Sequence, residues 1–212
     1  MSIPISEISA VILAGGMARR MGGVDKGLQL LDGQPMVQHV LHRVRPQVAS
    51  VLINANRHLE QYQHFEVPLC SDTISGYAGP LAGMHAALLQ INTPYLLSVP
   101  CDAPQLPNDL VARLADALSQ HNADAAVAVT GTGAQRQRHP VFVLLKSALL
   151  PLLEKYLDQN GRKVDQWLGS IHCVDVPFDD EAAFTNVNTM EEMDALTTQV
   201  KQRVASNSGR DT

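Results

Sequence analysis

Long apolar runs and a positively charged leader are both missing from this sequence. No run approaches the roughly 18 consecutive apolar residues that a transmembrane helix requires. Glu7 stands where a signal peptide would need a positive region followed by a long apolar one. We therefore expect a protein that is neither inserted in a membrane nor secreted.

Positive charge is scarce as well. Lysine and arginine together number 16 against 21 acidic residues, so the formal net charge is −5, and only 17% of the chain is charged. Non-specific binding to a phosphate backbone needs a broad basic surface, which this composition excludes. We expect no nucleic-acid partner.

Cysteine is rare and widely spaced. Cys70, Cys101 and Cys173 show neither the paired spacing of a zinc site nor that of a disulfide framework. Such cysteines suit a reducing compartment, so we expect a cytoplasmic protein. Cys101 is predicted to pack in the interior rather than to act as a nucleophile, because no basic residue adjoins it.

Apolar residues are numerous enough for one core. They make up 45% of 212 residues, which suffices for one full core but not for two large ones. We predict a single domain over residues 1–200 and a polar, disordered tail over residues 201–212.

Short apolar runs alternate along the chain with segments of helical periodicity. The runs predict strands at 10–13, 51–53, 95–99, 125–129 and 141–145. The periodic segments predict helices at 35–48, 81–90, 110–118 with Asn108 as cap, 148–157, 164–168, and from a capping box at Thr189 to about residue 200. This alternation predicts an α/β protein with three layers, in which a mostly parallel sheet carries helices on both faces. Ligands bind such sheets beyond the carboxyl ends of the strands, here after Leu13, Ile53 and Val99.

A glycine-rich stretch follows the first predicted strand directly. Residues 13–27 contain five glycines, two arginines and one lysine. Glycine lets backbone N–H groups approach phosphate oxygens closely, so the stretch predicts a phosphate-binding loop, with an ordinary surface loop as the alternative. The spacing matches neither the dinucleotide-binding fingerprint nor the Walker loop.

Asp102 lies in a proline-rich turn after the predicted strand 95–99. Taken alone, an aspartate in such a turn is more often a turn residue than a metal ligand. A phosphate loop on a neighbouring strand favours the metal, because Mg²⁺ takes one or two carboxylates together with waters and substrate phosphates.

Several motifs recur in a fixed order: Leu-Ala-Gly-Gly at 13–16, Arg-Met-Gly at 20–22, Asp-Lys at 25–26, Gly-Pro-Leu-Ala-Gly at 79–83, Pro-Cys-Asp at 100–102 and Asn-Val-Asn-Thr at 186–189. Together they resemble the nucleoside-triphosphate transferases, and among these the molybdenum cofactor guanylyltransferases. The resemblance implies a Rossmann-like nucleotidyltransferase fold. It also implies transfer of GMP from GTP to the phosphate of molybdopterin, the molybdenum cofactor, with release of pyrophosphate.

The resemblance also assigns site residues. Those implied in catalysis are Arg19, Lys26 and Asp102, the last also as the Mg²⁺ ligand. Those implied in nucleotide binding are Leu13, Ala14, Gly15, Gly16, Lys26, Asn54, Asp72, Gly79 and Asp102. Those implied at the acceptor end are Gly22, Gly83, Asn186 and Asn188. Which of them contacts the guanine base and which the ribose stays open.

Two other functions remain as alternatives. One is a transferase of the same fold that uses CTP or a sugar phosphate, and the other is a non-catalytic carrier of molybdopterin. Arg136, Arg138 and His139 form a second basic patch, which suits either the acceptor or a solvated loop. We expect a monomer whose partners, apart from its substrates, are the molybdoenzymes that receive the product.

Overall fold

The computed structural model describes residues 2–15, 25–74 and 79–186. The strands in these ranges are β1 (Ile8–Leu13), β2 (Leu30–Leu31), β3 (Gln34–Pro35), β4 (Ser50–Asn54), β5 (Leu69–Cys70), β6 (Tyr95–Pro100), β7 (Ala125–Thr130), β8 (Gln137–Lys146) and β9 (Cys173–Phe178). The α-helices there are α1 (Met36–Val44), α2 (Leu59–Gln63), α3 (Pro80–Leu88), α4 (Leu110–Gln120), α5 (Leu150–Asp158) and α6 (Val164–Leu168). No helix in the described ranges has the length and apolar character needed to cross a membrane.

Seven strands form one sheet in the order β5-β4-β1-β6-β8-β7-β9. β8 runs antiparallel to both of its neighbours, and the other pairs are parallel. Strands β2 and β3 form a separate antiparallel pair. The predicted mostly parallel sheet is therefore confirmed.

Two apolar clusters cover the two faces of the sheet. Ala10 and Ile12 of β1 belong to the cluster that includes α1 and α4, whereas Val11 belongs to the cluster that includes α3, α5 and α6. All three side chains are fully buried. Successive strand residues point to opposite faces, so a strand covered on both faces is an almost continuous apolar run. Because helices pack on both faces of the sheet, the predicted three layers are confirmed.

Most helix ends differ by a few residues from the predicted ones, and two differences, at the end of α1 and at the start of α4, have a visible cause. α1 stops at Val44 and continues as a 3₁₀ turn over Arg45–Gln47, since Pro46 has no N–H with which to extend the α-helix. The prediction of Asn108 as the cap of α4 is wrong. The residue before this helix is Asp109, without a side-chain cap, and the side-chain oxygen Oδ1 of Asn108 accepts a hydrogen bond from Arg43 at 3.0 Å instead.

Several elements were not predicted at all, namely β2, β3, α2, β5 and the edge strand β9. Each is short or polar on one side, so periodicity alone leaves little signal. The predicted helix after Thr189 and the predicted tail lie outside the described residues.

The antiparallel strand β8 pairs irregularly with β7. Val127 of β7 pairs with Val143, but the next residue, Ala128, pairs with His139, so residues 140–142 form an irregularity in β8. β6 pairs with β8 only through Tyr95–Ser98. The turn that carries Asp102 therefore begins beyond the last pair between these strands.

Candidate active site

Three neighbouring strands, β1, β4 and β6, end at the same edge of the sheet. Leu13 lies opposite Asn54 in one ladder and opposite Pro100 in the other. Beyond the strands, the Ala14 N–H donates to the Asn54 carbonyl at 2.8 Å, and the Cys101 N–H donates to the Leu13 carbonyl at 3.1 Å. The segments that the sequence assigned to phosphate, nucleotide and metal are thus held side by side.

Lys26 and Asp102 form an ion pair at this edge. The Lys26 ammonium donates a hydrogen bond to Asp102 Oδ2 at 3.0 Å, and the two side chains are 27% and 11% exposed. A partly buried pair of this kind is screened less by salt than one on the open surface. The sequence placed both residues in the site but did not predict their contact.

Behind Lys26 lies a buried hydrogen bond that the sequence analysis missed. The Tyr62 hydroxyl of α2 donates to Asp25 Oδ1 at 2.6 Å, and the Gly27 N–H donates to the same oxygen at 3.2 Å. Burial of Tyr62 raises its pKa far above the usual value, so the hydroxyl keeps its proton and remains a donor. The Asp-Lys motif pointed to Asp25, but no local signal indicated its partner.

The Asp72 carboxylate is held by two amides. Asn54 Nδ2 donates to Asp72 Oδ1 at 3.0 Å, and Asn56 Nδ2 donates to Asp72 Oδ2 at 2.8 Å. In return, the Asp72 N–H donates to Asn56 Oδ1 at 2.9 Å. Asn54 and Asp72 were predicted site residues, whereas Asn56 was missed, although the Asn-x-Asn spacing at the end of β4 was available as a signal.

Two predicted glycines pack tightly against this cluster. A Cβ on Gly15 would lie 2.7 Å from Asn56 Nδ2, and a Cβ on Gly83 would lie 2.5 Å from Asn54 Oδ1 and 2.6 Å from a methyl group of Leu13. Gly83, which the resemblance implied at the acceptor end, therefore lies beside Asn54, which it implied at the nucleotide end. Gly79 precedes α3 with a φ of +66°, a conformation that favours glycine.

The second basic patch is paired with acid. Arg136 and Arg138 both form salt bridges with Asp175 of β9, at 2.5 Å each. Hydrogen bonding to Asp175 is the main effect that raises the pKa of Arg138, against the opposing effect of burial. Much of the positive charge that the sequence suggested for an acceptor is thus already balanced.

His139 and Phe184 anchor the chain before Asn186. Their rings stack at 4.8 Å between centroids, and Phe184 also contacts Phe142 and Phe178 at 5.0 Å. Burial lowers the pKa of His139. The segment that leads to Asn186 therefore begins from a fixed aromatic cluster.

Some predicted site residues lie outside the described ranges: Gly16, Arg19, Gly22 and Asn188.

The three cysteines have free thiols. Burial, together with the neighbouring Asp102, raises the pKa of Cys101 well above its usual value. This agrees with the predicted packing role, because a protonated thiol is a poor nucleophile.

Residues 10–173 match the family described as the MobA-like NTP transferase domain. The chain belongs to this family. It is 51% identical over 199 residues to a molybdenum cofactor guanylyltransferase of Ralstonia nicotianae, an alignment that covers 92% of this chain and 98% of the relative. It is 50% identical over 188 residues to one of Cupriavidus necator, covering 88% and 94%.

A solved structure shares the fold. Molybdopterin-guanine dinucleotide biosynthesis protein A from Archaeoglobus fulgidus superposes with a TM-score of 0.73 at 21% identity, covering 92% of this chain and 99% of that one. The resemblance predicted from the motifs is confirmed, as are the nucleotidyltransferase fold and the enzyme class, a nucleotidyltransferase.

Proposed function

We propose that this member of the MobA-like family transfers GMP from GTP to the terminal phosphate of molybdopterin, releasing pyrophosphate. The observation that carries the proposal is the ion pair of Lys26 and Asp102, with 3.0 Å between Nζ and Oδ2, at the carboxyl edge of the sheet. A cation and a carboxylate at this edge, beside the polar cluster of Asn54 and Asp72, suit a bound nucleoside triphosphate.

The reaction is a displacement at phosphorus. A phosphate oxygen of molybdopterin attacks the α-phosphorus of GTP, a new phosphorus–oxygen bond forms, and the bond to the bridging oxygen of pyrophosphate breaks. Charge builds on the phosphoryl oxygens, so positioned cations and N–H donors lower the barrier. In this proposal the cations are Lys26 and Arg19, and the N–H donors belong to the backbone after β1. No protein nucleophile is required.

Asp102 suits a Mg²⁺ ion whose coordination is completed by the substrate phosphates. Its carboxylate is 11% exposed and follows the end of β6. No group of three or more His, Cys, Asp or Glu residues within the described ranges could hold a metal without the substrate. Mg²⁺ prefers one or two carboxylates with waters and phosphates, so a single aspartate is sufficient. When bound, the ion neutralises charge on the triphosphate.

The nucleotide end lies at Asn54 and Asp72. Guanine offers adjacent N–H donors at N1 and N2, and an oriented carboxylate or carbonyl oxygen accepts them, whereas cytosine has no such pair of donors. The amides of Asn54 and Asn56 orient the Asp72 carboxylate. We propose the acceptor end at Asn186 and Asn188, with Gly83 at the boundary between the two ends.

The test is pyrophosphate release in the presence of Mg²⁺, with GTP, CTP or ATP and with or without molybdopterin. We expect release only with GTP and molybdopterin together, and a guanine dinucleotide product by mass spectrometry. A preference for CTP would support the cytidylyltransferase alternative. Binding of molybdopterin without turnover would support the carrier alternative.

The free thiols favour a cytoplasmic setting for the reaction.

A further inference from the structure

The turn that presents Lys26 is tied to the protein interior through a buried tyrosine hydroxyl group. Asp25 begins this 3₁₀ turn, Lys26–Leu28, and its carboxylate caps the turn by accepting the Gly27 N–H at 3.2 Å. The same carboxylate oxygen accepts the Tyr62 hydroxyl at 2.6 Å. Asp25 is 8% exposed and Tyr62 is fully buried, so this hydrogen bond lies inside the protein.

Gly27 brings the turn into direct contact with the same hydroxyl. A Cβ at this position would lie 2.5 Å from the Tyr62 hydroxyl oxygen and 3.4 Å from Cys101 Sγ. Cys101 is the residue directly before Asp102. Tyr62 therefore contacts both neighbours of Lys26, one through a hydrogen bond and the other through packing, at a point next to the turn that carries Asp102.

We propose that Tyr62 is a positioning residue: through Asp25, its hydroxyl fixes the turn that holds the Lys26 ammonium beside Asp102. This inference rests on the proposed function, in which Lys26 stabilises the charge that develops on the triphosphate. The main chain is held on both sides of Lys26, so the Lys26 side chain extends toward the site from a fixed starting point.

Removing the hydroxyl would release this constraint. In Tyr62→Phe the ring still fills its place in the core, but the buried Asp25 carboxylate loses one of its donors. The turn then shifts to find another partner, and Lys26 moves with it. A displaced cation weakens stabilisation of the transition state more than binding of the ground state.

The experiment compares Tyr62→Phe with a matched control, Tyr156→Phe. Tyr156 of α5 is half-buried and donates its hydroxyl to the Lys163 carbonyl at 3.2 Å, in an exposed hydrogen bond that involves none of the proposed site residues. For Tyr62→Phe we expect kcat to fall at least about tenfold with little change in KM for GTP. The control is expected to keep the wild-type kcat.

A double variant separates positioning from a general structural role. If Tyr62 acts through Lys26, Tyr62→Phe will lower kcat in the wild type but not further in a Lys26→Ala background. An equal loss in both backgrounds, or no loss in the wild type, would overturn the inference. If Tyr62→Phe does not fold, Asp25→Ala takes its place in this cycle; it breaks the same hydrogen bond from the other end together with the cap on Gly27, and an equal loss in both backgrounds would again overturn the inference.

Failure of this inference is distinct from failure of the proposed function. If the wild type releases no pyrophosphate from GTP, the proposed function is wrong whatever Tyr62 does. If the wild type is active and the folded Tyr62→Phe protein equals it, only the positioning role is wrong.

Discussion

Lys26 donates a hydrogen bond to Asp102 at 3.0 Å, although the two residues are 76 positions apart in the chain. β1 and β6 pair along their full length and end at the same edge, and the turn that carries Lys26 lies there close to Cys101, the neighbour of Asp102. The proposed phosphate-binding cation and the proposed metal-binding carboxylate thus form one ion pair, so we expect a change at either residue to affect the other.

Asp102→Ala is expected to abolish transfer. The substitution removes the carboxylate for the metal and leaves Lys26 without this partner, but it lies in a turn and leaves the core intact. Asp109→Ala is the matched control, because Asp109 is 61% exposed and pairs with Arg113 on the surface. Pyrophosphate release and the melting temperature are measured for both. Normal turnover by a folded Asp102→Ala protein would remove this residue from the site.

Lys26→Ala is expected to slow the chemical step. Loss of one preorganised cation should raise the barrier by about 2 to 4 kcal/mol, seen as a fall in kcat with a smaller change in KM for GTP. Lys146→Ala is the control, since Lys146 also pairs with an aspartate, Asp124 at 3.2 Å, at the opposite edge of the sheet. A change confined to KM would instead indicate uniform binding of the triphosphate.

Asn56→Ala is expected to reduce discrimination between GTP and CTP. Without its amide, the Asp72 carboxylate loses one of two orienting donors, and GTP binding should weaken by about 1 kcal/mol, or roughly fivefold. Calorimetric titration with both nucleotides measures the effect. Asn108→Ala removes an exposed amide that bonds Arg43 and should leave both affinities unchanged. Equal losses for GTP and CTP would contradict a role in reading the base.

Gly83→Ala is expected to impair nucleotide binding. The added Cβ would lie 2.5 Å from Asn54 Oδ1, so Asn54 must move away from its bond to Asp72. Gly169→Ala is a milder control, because its Cβ would lie 3.3 Å from the Asp165 carbonyl oxygen, a tight contact that is nevertheless looser than the one at Gly83. Titration with GTP and thermal melting separate loss of binding from loss of stability. Wild-type affinity in Gly83→Ala would show that Asn54 does not contact the nucleotide.

Changing Asn186 and Asn188 together to Ala is expected to weaken molybdopterin binding or transfer. Amides offer donors and an acceptor, which match the mixed edge of a pterin. GTP binding and the melting temperature should stay nearly unchanged. A large loss of thermal stability with unaltered acceptor binding would indicate that the two residues cap the turn before Thr189 instead.

Local patterns determined much of the architecture in advance. The apolar run 10–13 marks most of β1, because a strand buried on both faces is apolar at nearly every position. The apolar positions of α1 and α4 mark their buried faces. The motifs around Lys26 and Asp102 identified the family, because phosphate and metal chemistry demand particular residues at short spacing. These features are all encoded within a few neighbouring residues.

Only the tertiary structure decided which of these residues meet. The bond from Tyr62 to Asp25 spans 37 positions, and the bond from Asn56 to Asp72 depends on the pairing of β4 with β5. The antiparallel direction of β8 likewise depends on its position in the sheet, between β6 and β7. Strand order and direction come from packing of the whole chain, so no local pattern in the sequence carries them.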